Sequence, residues 1–112
     1  ILSDLAGELA GSLGMAASIN AGVGRAMAQA AHGSAPDIAG KGIGNPVGLI
    51  LSAAMLLSWL AAERRDTAAA EAGKAIEQAV AAALARGPRT PDLGGTASTS
   101  QFTEGILKNL TV

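Results

Sequence analysis

The sequence predicts a mostly helical chain with one weak strand candidate and a long glycine-rich loop, built to complete a larger body, and three observations carry that reading. Of 112 residues 49 % are apolar and 15 % charged, which excludes an intrinsically disordered chain. Alanine is the commonest apolar residue, with one Trp, one Phe and no Tyr, so each buried side chain removes little surface from water and a self-contained core is thin. The chain also opens at Ile1 inside an apolar, helix-like pattern without a Met, and its first residues are expected to continue something upstream.

Eight basic and nine acidic residues give a net charge of -1, which provides no field for gathering nucleic acid, and the aromatics needed to stack bases are missing. The absence of cysteine excludes disulfides and thiolate metal sites, and makes the cytoplasm or an organelle matrix the expected compartment. No signal peptide is expected at Ile1, because Asp4 and Glu8 interrupt the stretch and no basic segment precedes it. Residues Gly42 to Ala62 carry no charge, but Asn45-Pro46 leaves only Val47 to Ala62 for a helix, short of the roughly 20 residues that a bilayer core requires. A helix buried on all sides of a protein core is expected there instead.

Taken in order, Ile1, Leu2, Leu5, Leu9 and Leu13 recur every three to four residues and predict a helix over 1–13. Gly11, Gly14, Gly22 and Gly24, with Ser18 and Asn20, read as a loop. Arg25 to Ala31 is the strand candidate, poor in β propensity unless a sheet holds it. His32 to Pro46, with four glycines and two prolines, is a 15-residue loop of the kind that carries function. Pro46 suits the first turn of the Val47 to Ala62 helix. Thr67 to Arg86 is a further helix, capped by Asp66 or Thr67 and stopped at Gly87-Pro88, with Ala69, Ala72, Ile76, Val80, Ala83 and Leu84 near one face and Glu71 and Lys74 on its wet side. Pro88 to Ser100 is a second loop, and Phe102 to Leu110 a last short helix.

Generic nucleotide fingerprints fail on the loop. A phosphate-binding loop needs Gly, four residues, then Gly-Lys-Ser/Thr, but Gly40-Lys41 is followed by Gly42 and preceded at five residues by Ala35. The dinucleotide pattern G-x-G-x-x-G fails because Gly40-Lys41-Gly42 leads to Asn45 where the third glycine belongs. The loop as a whole, His32-Gly33-Ser34-Ala35-Pro36-Asp37-Ile38-Ala39-Gly40-Lys41-Gly42-Ile43-Gly44-Asn45-Pro46, closely resembles the cofactor loop of the β-decarboxylating dehydrogenases, which act on isocitrate, 3-isopropylmalate, homoisocitrate or tartrate. Ile50-Leu51-Ser52-Ala53-Ala54-Met55-Leu56-Leu57, Ile1-Leu2-Ser3-Asp4-Leu5-Ala6, Gly11-Ser12-Leu13-Gly14 and Pro91-Asp92-Leu93-Gly94-Gly95-Thr96 resemble family segments in the family's order.

The resemblance implies an α/β, isocitrate/isopropylmalate dehydrogenase-like fold of which this chain is a mostly helical C-terminal fragment. Residues 1–15 would end a helix of the smaller substrate and dimer domain, and 16–112 would complete the larger NAD-binding domain. The rest of the enzyme, a hydroxy-acid substrate and a second copy in a homodimer or higher homo-oligomer are the implied partners; neither nucleic acid nor a membrane is. The implied reaction oxidises a 2-hydroxy acid bearing a 3-carboxylate, passes hydride to NAD and releases CO₂, with Mg²⁺ or Mn²⁺ as electron sink. Asp4 is the implied metal ligand in this stretch, since a hard cation takes oxygen ligands, while Glu8 reads as surface charge. The proton-transfer residues and substrate arginines would lie upstream, so no catalytic residue is assigned here and the fragment is expected to be inactive alone.

For the cofactor, the resemblance assigns His32 to the adenosine end, the backbone at Gly33, Ser34 and Ala35 to close approach, Asp37 with Ile38 beside it to the adenosine ribose, and Asn45 to the adenine. Asn45 also suits capping of the following helix. Lys41 reads as loop surface. An acidic residue at the Asp37 position accompanies NAD use in the family, where NADP-type members carry Lys-Tyr; Pro91 and Gly95 likewise replace a Tyr and a phosphate-binding Arg. Gln29 departs from the family's usual Glu, keeping its shape but losing its charge. The reading from another class is a stand-alone all-α interaction or structural module without catalysis.

Overall fold

The computed structural model describes residues 15–110. The expected helix over 1–13, and Asp4 and Glu8 with it, lie outside the described residues.

The described part begins with a hairpin. β1 (Ala17–Gly22) and β2 (Arg25–Ala30) pair antiparallel from Ala17 opposite Ala30 to Gly22 opposite Arg25, around a Val23-Gly24 turn in which Gly24 takes φ 70°. The expectation of a loop through residues 17–22 is thus corrected. Ala-Ser-Ile-Asn-Ala-Gly has a single β-branched residue and no alternating pattern, so the pairing partner, not local propensity, makes it a strand. β2 confirms the strand candidate: Ala26, Ala28 and Ala30 are half-buried while Arg25, Met27 and Gln29 are exposed, the period-2 alternation of a sheet with one covered face.

Three helices follow: α1 (Val47–Arg64), α2 (Thr67–Arg86) and α3 (Thr99–Lys108), with a short 3₁₀ turn at Pro91–Leu93. The hairpin corrects the all-α alternative. α1 packs on both strands and on α2. Ser52, fully buried in α1, joins helix to hairpin: its Oγ accepts the Ser18 N–H at 3.1 Å and lies 2.9 Å from Gln29 O and 2.7 Å from Gly48 O, the two carbonyls that share its one proton. α2 crosses α1 closely at Gly73, where a Cβ would stand 3.1 Å from both Ala54 O and Ser58 Oγ.

α1 runs two residues past the expected end at Ala62 and closes at Arg65, whose φ of 51° turns the chain into α2. At 18 residues it is, among the described residues, the one helix long and apolar enough to cross a membrane by length and composition. Within this chain it is covered over part of its surface: Val47, Gly48, Ser52 and Ala54 are buried and Leu49 is 60 % exposed, so burial on every side requires surface from outside these residues. α2 keeps its expected limits because its ends are chemically marked. Asp66 Oδ1 accepts the Ala68 and Ala69 N–H groups at 3.0 and 3.2 Å, and the Gly87 N–H closes the last turn on Ala83 O.

The core gathers where the helices meet, from Val47 of α1, Ala79, Val80 and Ala83 of α2, and Phe102 and Ile106 of α3. α3 starts three residues before the expected Phe102 and ends at Lys108 instead of Leu110. The cause is a capping box: Ser98 Oγ accepts the Gln101 N–H at 3.1 Å while Gln101 Oε1 accepts the Ser98 N–H at 2.9 Å.

Candidate functional site

The loop from His32 to Pro46 leaves β2, turns twice, and enters α1. In the first turn the Ile38 N–H donates to Ala35 O at 3.1 Å, and in the second the Lys41 N–H donates to Ile38 O at 3.1 Å with Gly40 at φ 79°. Ala35 takes φ 43° without being glycine, a backbone position that costs on the order of 1 kcal/mol and clusters at ligand sites. With the 3₁₀ turn the loop lines a cleft of about 840 Å³, within the range of small-molecule sites.

Six of the seven expected cofactor residues, His32, Gly33, Ser34, Ala35, Ile38 and Asn45, line this one cleft. Asp37 does not line it. It is exposed in the turn between Ala35 and Ile38, at the rim. His32 Nδ1 lies 2.9 Å from Gly33 O; since a carbonyl only accepts, that bond puts the proton on Nδ1 and leaves Nε2 of a neutral ring as acceptor. Ile38 and Ile43 supply apolar wall.

Asn45 lines the cleft and takes the helix-capping role foreseen for it. Its Oδ1 accepts the Val47 N–H at 3.0 Å at the entrance to α1, and its Nδ2 donates to Asp92 Oδ2 at 3.0 Å. Asp92 lines the cleft and was not foreseen as a site residue; it is 47 residues from Asn45, and its only local signal is its place after Pro91 in a family-like segment. Thr99 was also missed: its N–H donates to Gly42 O at 2.8 Å and its Oγ1 to Gly44 O at 2.5 Å, tying the loop to the start of α3. Gly95 has a packing reason of its own, because a Cβ there would fall 1.9 Å from Arg89 O. No side chain fits this backbone at position 95.

A second cleft, of about 900 Å³, lies between the end of α2 and α3, lined by Arg86, Arg89, Glu104 and Lys108 among others, and contains nothing of the 32–46 loop. Among the described residues no group of three His, Asp, Glu or Cys side chains could hold a metal ion. The described part supplies no metal centre, and Asp4 lies outside it.

The glycine-rich loop that reaches α1 through Pro46 is the segment that resembles the family's cofactor loop, and its cleft with the Pro91–Leu93 turn adds a contact the sequence did not point to. The chain belongs to the isocitrate/isopropylmalate dehydrogenase family, whose profile matches residues 1–106. It is 54 % identical over 110 residues to the isocitrate/homoisocitrate dehydrogenase of Thermus thermophilus, covering 98 % of this chain and 31 % of that protein. It is 53 % identical over 111 residues to the 3-isopropylmalate dehydrogenase of Lactococcus lactis, covering 97 % of this chain and 30 % of the relative. Among solved structures, isocitrate dehydrogenase from Methylococcus capsulatus matches with a TM-score of 0.88 at 40 % identity, over 97 % of this chain and 31 % of that one. A β-decarboxylating dehydrogenase from Thermococcus kodakarensis, in its apo form, matches with a TM-score of 0.83 at 48 % identity, over 97 % and 30 %. The fold is that of an isocitrate/isopropylmalate dehydrogenase, of which the chain spans about 30 % of the length.

Proposed function

We propose that the chain is the C-terminal, cofactor-binding part of an NAD-dependent and Mg²⁺- or Mn²⁺-dependent oxidative decarboxylase of a 2-hydroxy acid bearing a 3-carboxylate, of the isocitrate or 3-isopropylmalate type. The observation that carries the proposal is the convergence of His32, Gly33, Ser34, Ala35, Ile38 and Asn45 on one cleft. The residues present fit an adenosine: Ile38 and Ile43 offer apolar surface to a base, His32 Nε2 and the Asn45–Asp92 pair offer polar edges, and the backbone at Gly33 and Ser34 allows close approach. When bound, NAD⁺ supplies the hydride acceptor for the carbon bearing the hydroxyl. The chain's own part is to hold the adenosine half, with Asp37 at the rim accepting from the ribose hydroxyls.

Residues 1–15 belong, in this proposal, to the smaller domain and 16–112 to the larger. Asp4 provides one oxygen ligand to the divalent ion. The remaining two thirds of the enzyme supply the catalytic residues, cover exposed apolar side chains such as Leu49, Met27 and Val23, and form a homo-oligomer in the cytoplasm or an organelle matrix. The isolated fragment is inactive.

The test uses the full-length enzyme. NAD⁺ reduction is expected to accompany CO₂ release from isocitrate or 3-isopropylmalate, and Asp4→Asn is expected to raise the Mg²⁺ concentration for half-maximal rate by about tenfold with NAD⁺ affinity unchanged. NADH formation by the purified 112-residue fragment, or reduced NAD⁺ affinity in Asp4→Asn with an unchanged metal titration, contradicts the assignment.

A further inference from the structure

We propose that Thr90 is a positioning residue for the cofactor loop, acting through Asp92 on Asn45; the inference rests on the reading of this cleft as the adenosine site. Thr90 is fully buried and does not line the cleft. Its Oγ1 donates to Asp92 Oδ1 at 2.5 Å, Asp92 Oδ2 accepts from Asn45 Nδ2 at 3.0 Å, and Asn45 Oδ1 accepts the Val47 N–H at 3.0 Å. The chain of bonds thus runs from a buried hydroxyl to the N-terminus of α1.

Each link has a direction. A carboxylate only accepts, so it takes the Thr90 proton on one oxygen and an Asn45 amide proton on the other, and the Val47 N–H then fixes which end of the amide is oxygen. Asp92 occupies one of the two Asn45 N–H donors, and the rotation of the amide in the cleft is set by the carboxylate's rotation. Thr90 sets that rotation from a rigid base, because its own carbonyl accepts the Leu93 N–H at 3.0 Å and the Gly95 N–H at 3.1 Å. Bonds to a charged acceptor are stronger than neutral ones, so the hydroxyl orders Asn45 before any ligand arrives. Binding then costs less ordering.

The experiment measures NAD⁺ affinity by titration calorimetry, and steady-state constants, in the full-length enzyme. Thr90→Val, which keeps the shape and removes the donor, is expected to raise the Kd and KM for NAD⁺ by about tenfold, with kcat at saturating NAD⁺ and the hydroxy-acid KM little changed. Thr90→Ser restores the affinity. In an Asn45→Ala background the Thr90→Val penalty disappears, which a purely structural role does not produce. Should Thr90→Val not fold, Asp92→Asn on the exposed side of the same bond carries the same expectation. Unchanged NAD⁺ affinity in Thr90→Val or Asp92→Asn, or an equal penalty with and without Asn45, overturns the proposal. An unmodified enzyme that binds no NAD⁺ overturns the cofactor reading itself, and is told apart because it fails before any substitution.

Discussion

NAD⁺ is expected to be preferred over NADP⁺ in kcat/KM by at least about 100-fold in the full-length enzyme, a difference of roughly 3 kcal/mol assembled from lost ribose hydrogen bonds and charge repulsion. The residue responsible is Asp37. It stands in the turn between Ala35 and Ile38, which line the cleft, so in the proposed complex its carboxylate meets the ribose at the rim. Exposure screens its field at a distance, but a 2′-phosphate of nearly two negative charges would sit in contact with it. Replacing Asp37-Ile38 by Lys-Tyr is expected to shrink the preference without completing a reversal. The structure adds a reason: position 95, where NADP-type members of the family carry an arginine, admits no side chain because Arg89 O occupies the place of its Cβ. Steady-state rates with both cofactors, before and after the double substitution, check this, and comparable kcat/KM values in the unmodified enzyme contradict it.

Phe102→Ala is expected to destabilise the enzyme by about 3–5 kcal/mol, the cost of a large cavity in a core that closes around one aromatic ring. Phe102 is completely buried and packs with Val47, Val80, Ala83 and Ile106, and the surrounding alanines have no reach with which to fill the gap. A loss of that size is a large share of the ~5–15 kcal/mol that holds a typical protein folded. A melting temperature lowered by well over about 5 °C is the expected reading, and an unchanged melting curve would mean that the three helices do not meet at this ring.

Much of this arrangement is legible in the sequence where chemistry is local. α2 is readable from end to end because Asp66 supplies a cap, the apolar positions recur at helical spacing, and Gly87-Pro88 stops it. The start of α3 was equally marked, by Ser98 and Gln101 three residues apart, a signature passed over in favour of the apolar run that begins at Phe102. β1 is a different case. Its residues carry neither alternation nor propensity, and it exists through pairing with β2 and through Ser52 of α1, 34 residues away from Ser18. The 32–46 loop fails both generic nucleotide fingerprints and was legible through its family resemblance alone, since its shape depends on turns at Ala35 and Gly40 and not on a helix terminus. The place of Asn45 in the cleft was legible for the same reason. Its partner Asp92 was not, because a contact across 47 residues leaves no local trace.

The central claim, that the cleft between the 32–45 loop and the Pro91–Leu93 turn holds the adenosine half of NAD⁺, is tested most directly by a crystal structure of the full-length enzyme with NAD⁺ bound. The adenine is expected beside Asn45 and Ile43, with the ribose hydroxyls within hydrogen-bonding distance of Asp37 and the His32 ring alongside. Adenosine density elsewhere, as in the cleft lined by Arg86, Arg89 and Lys108, with the 32–45 loop untouched, would contradict it.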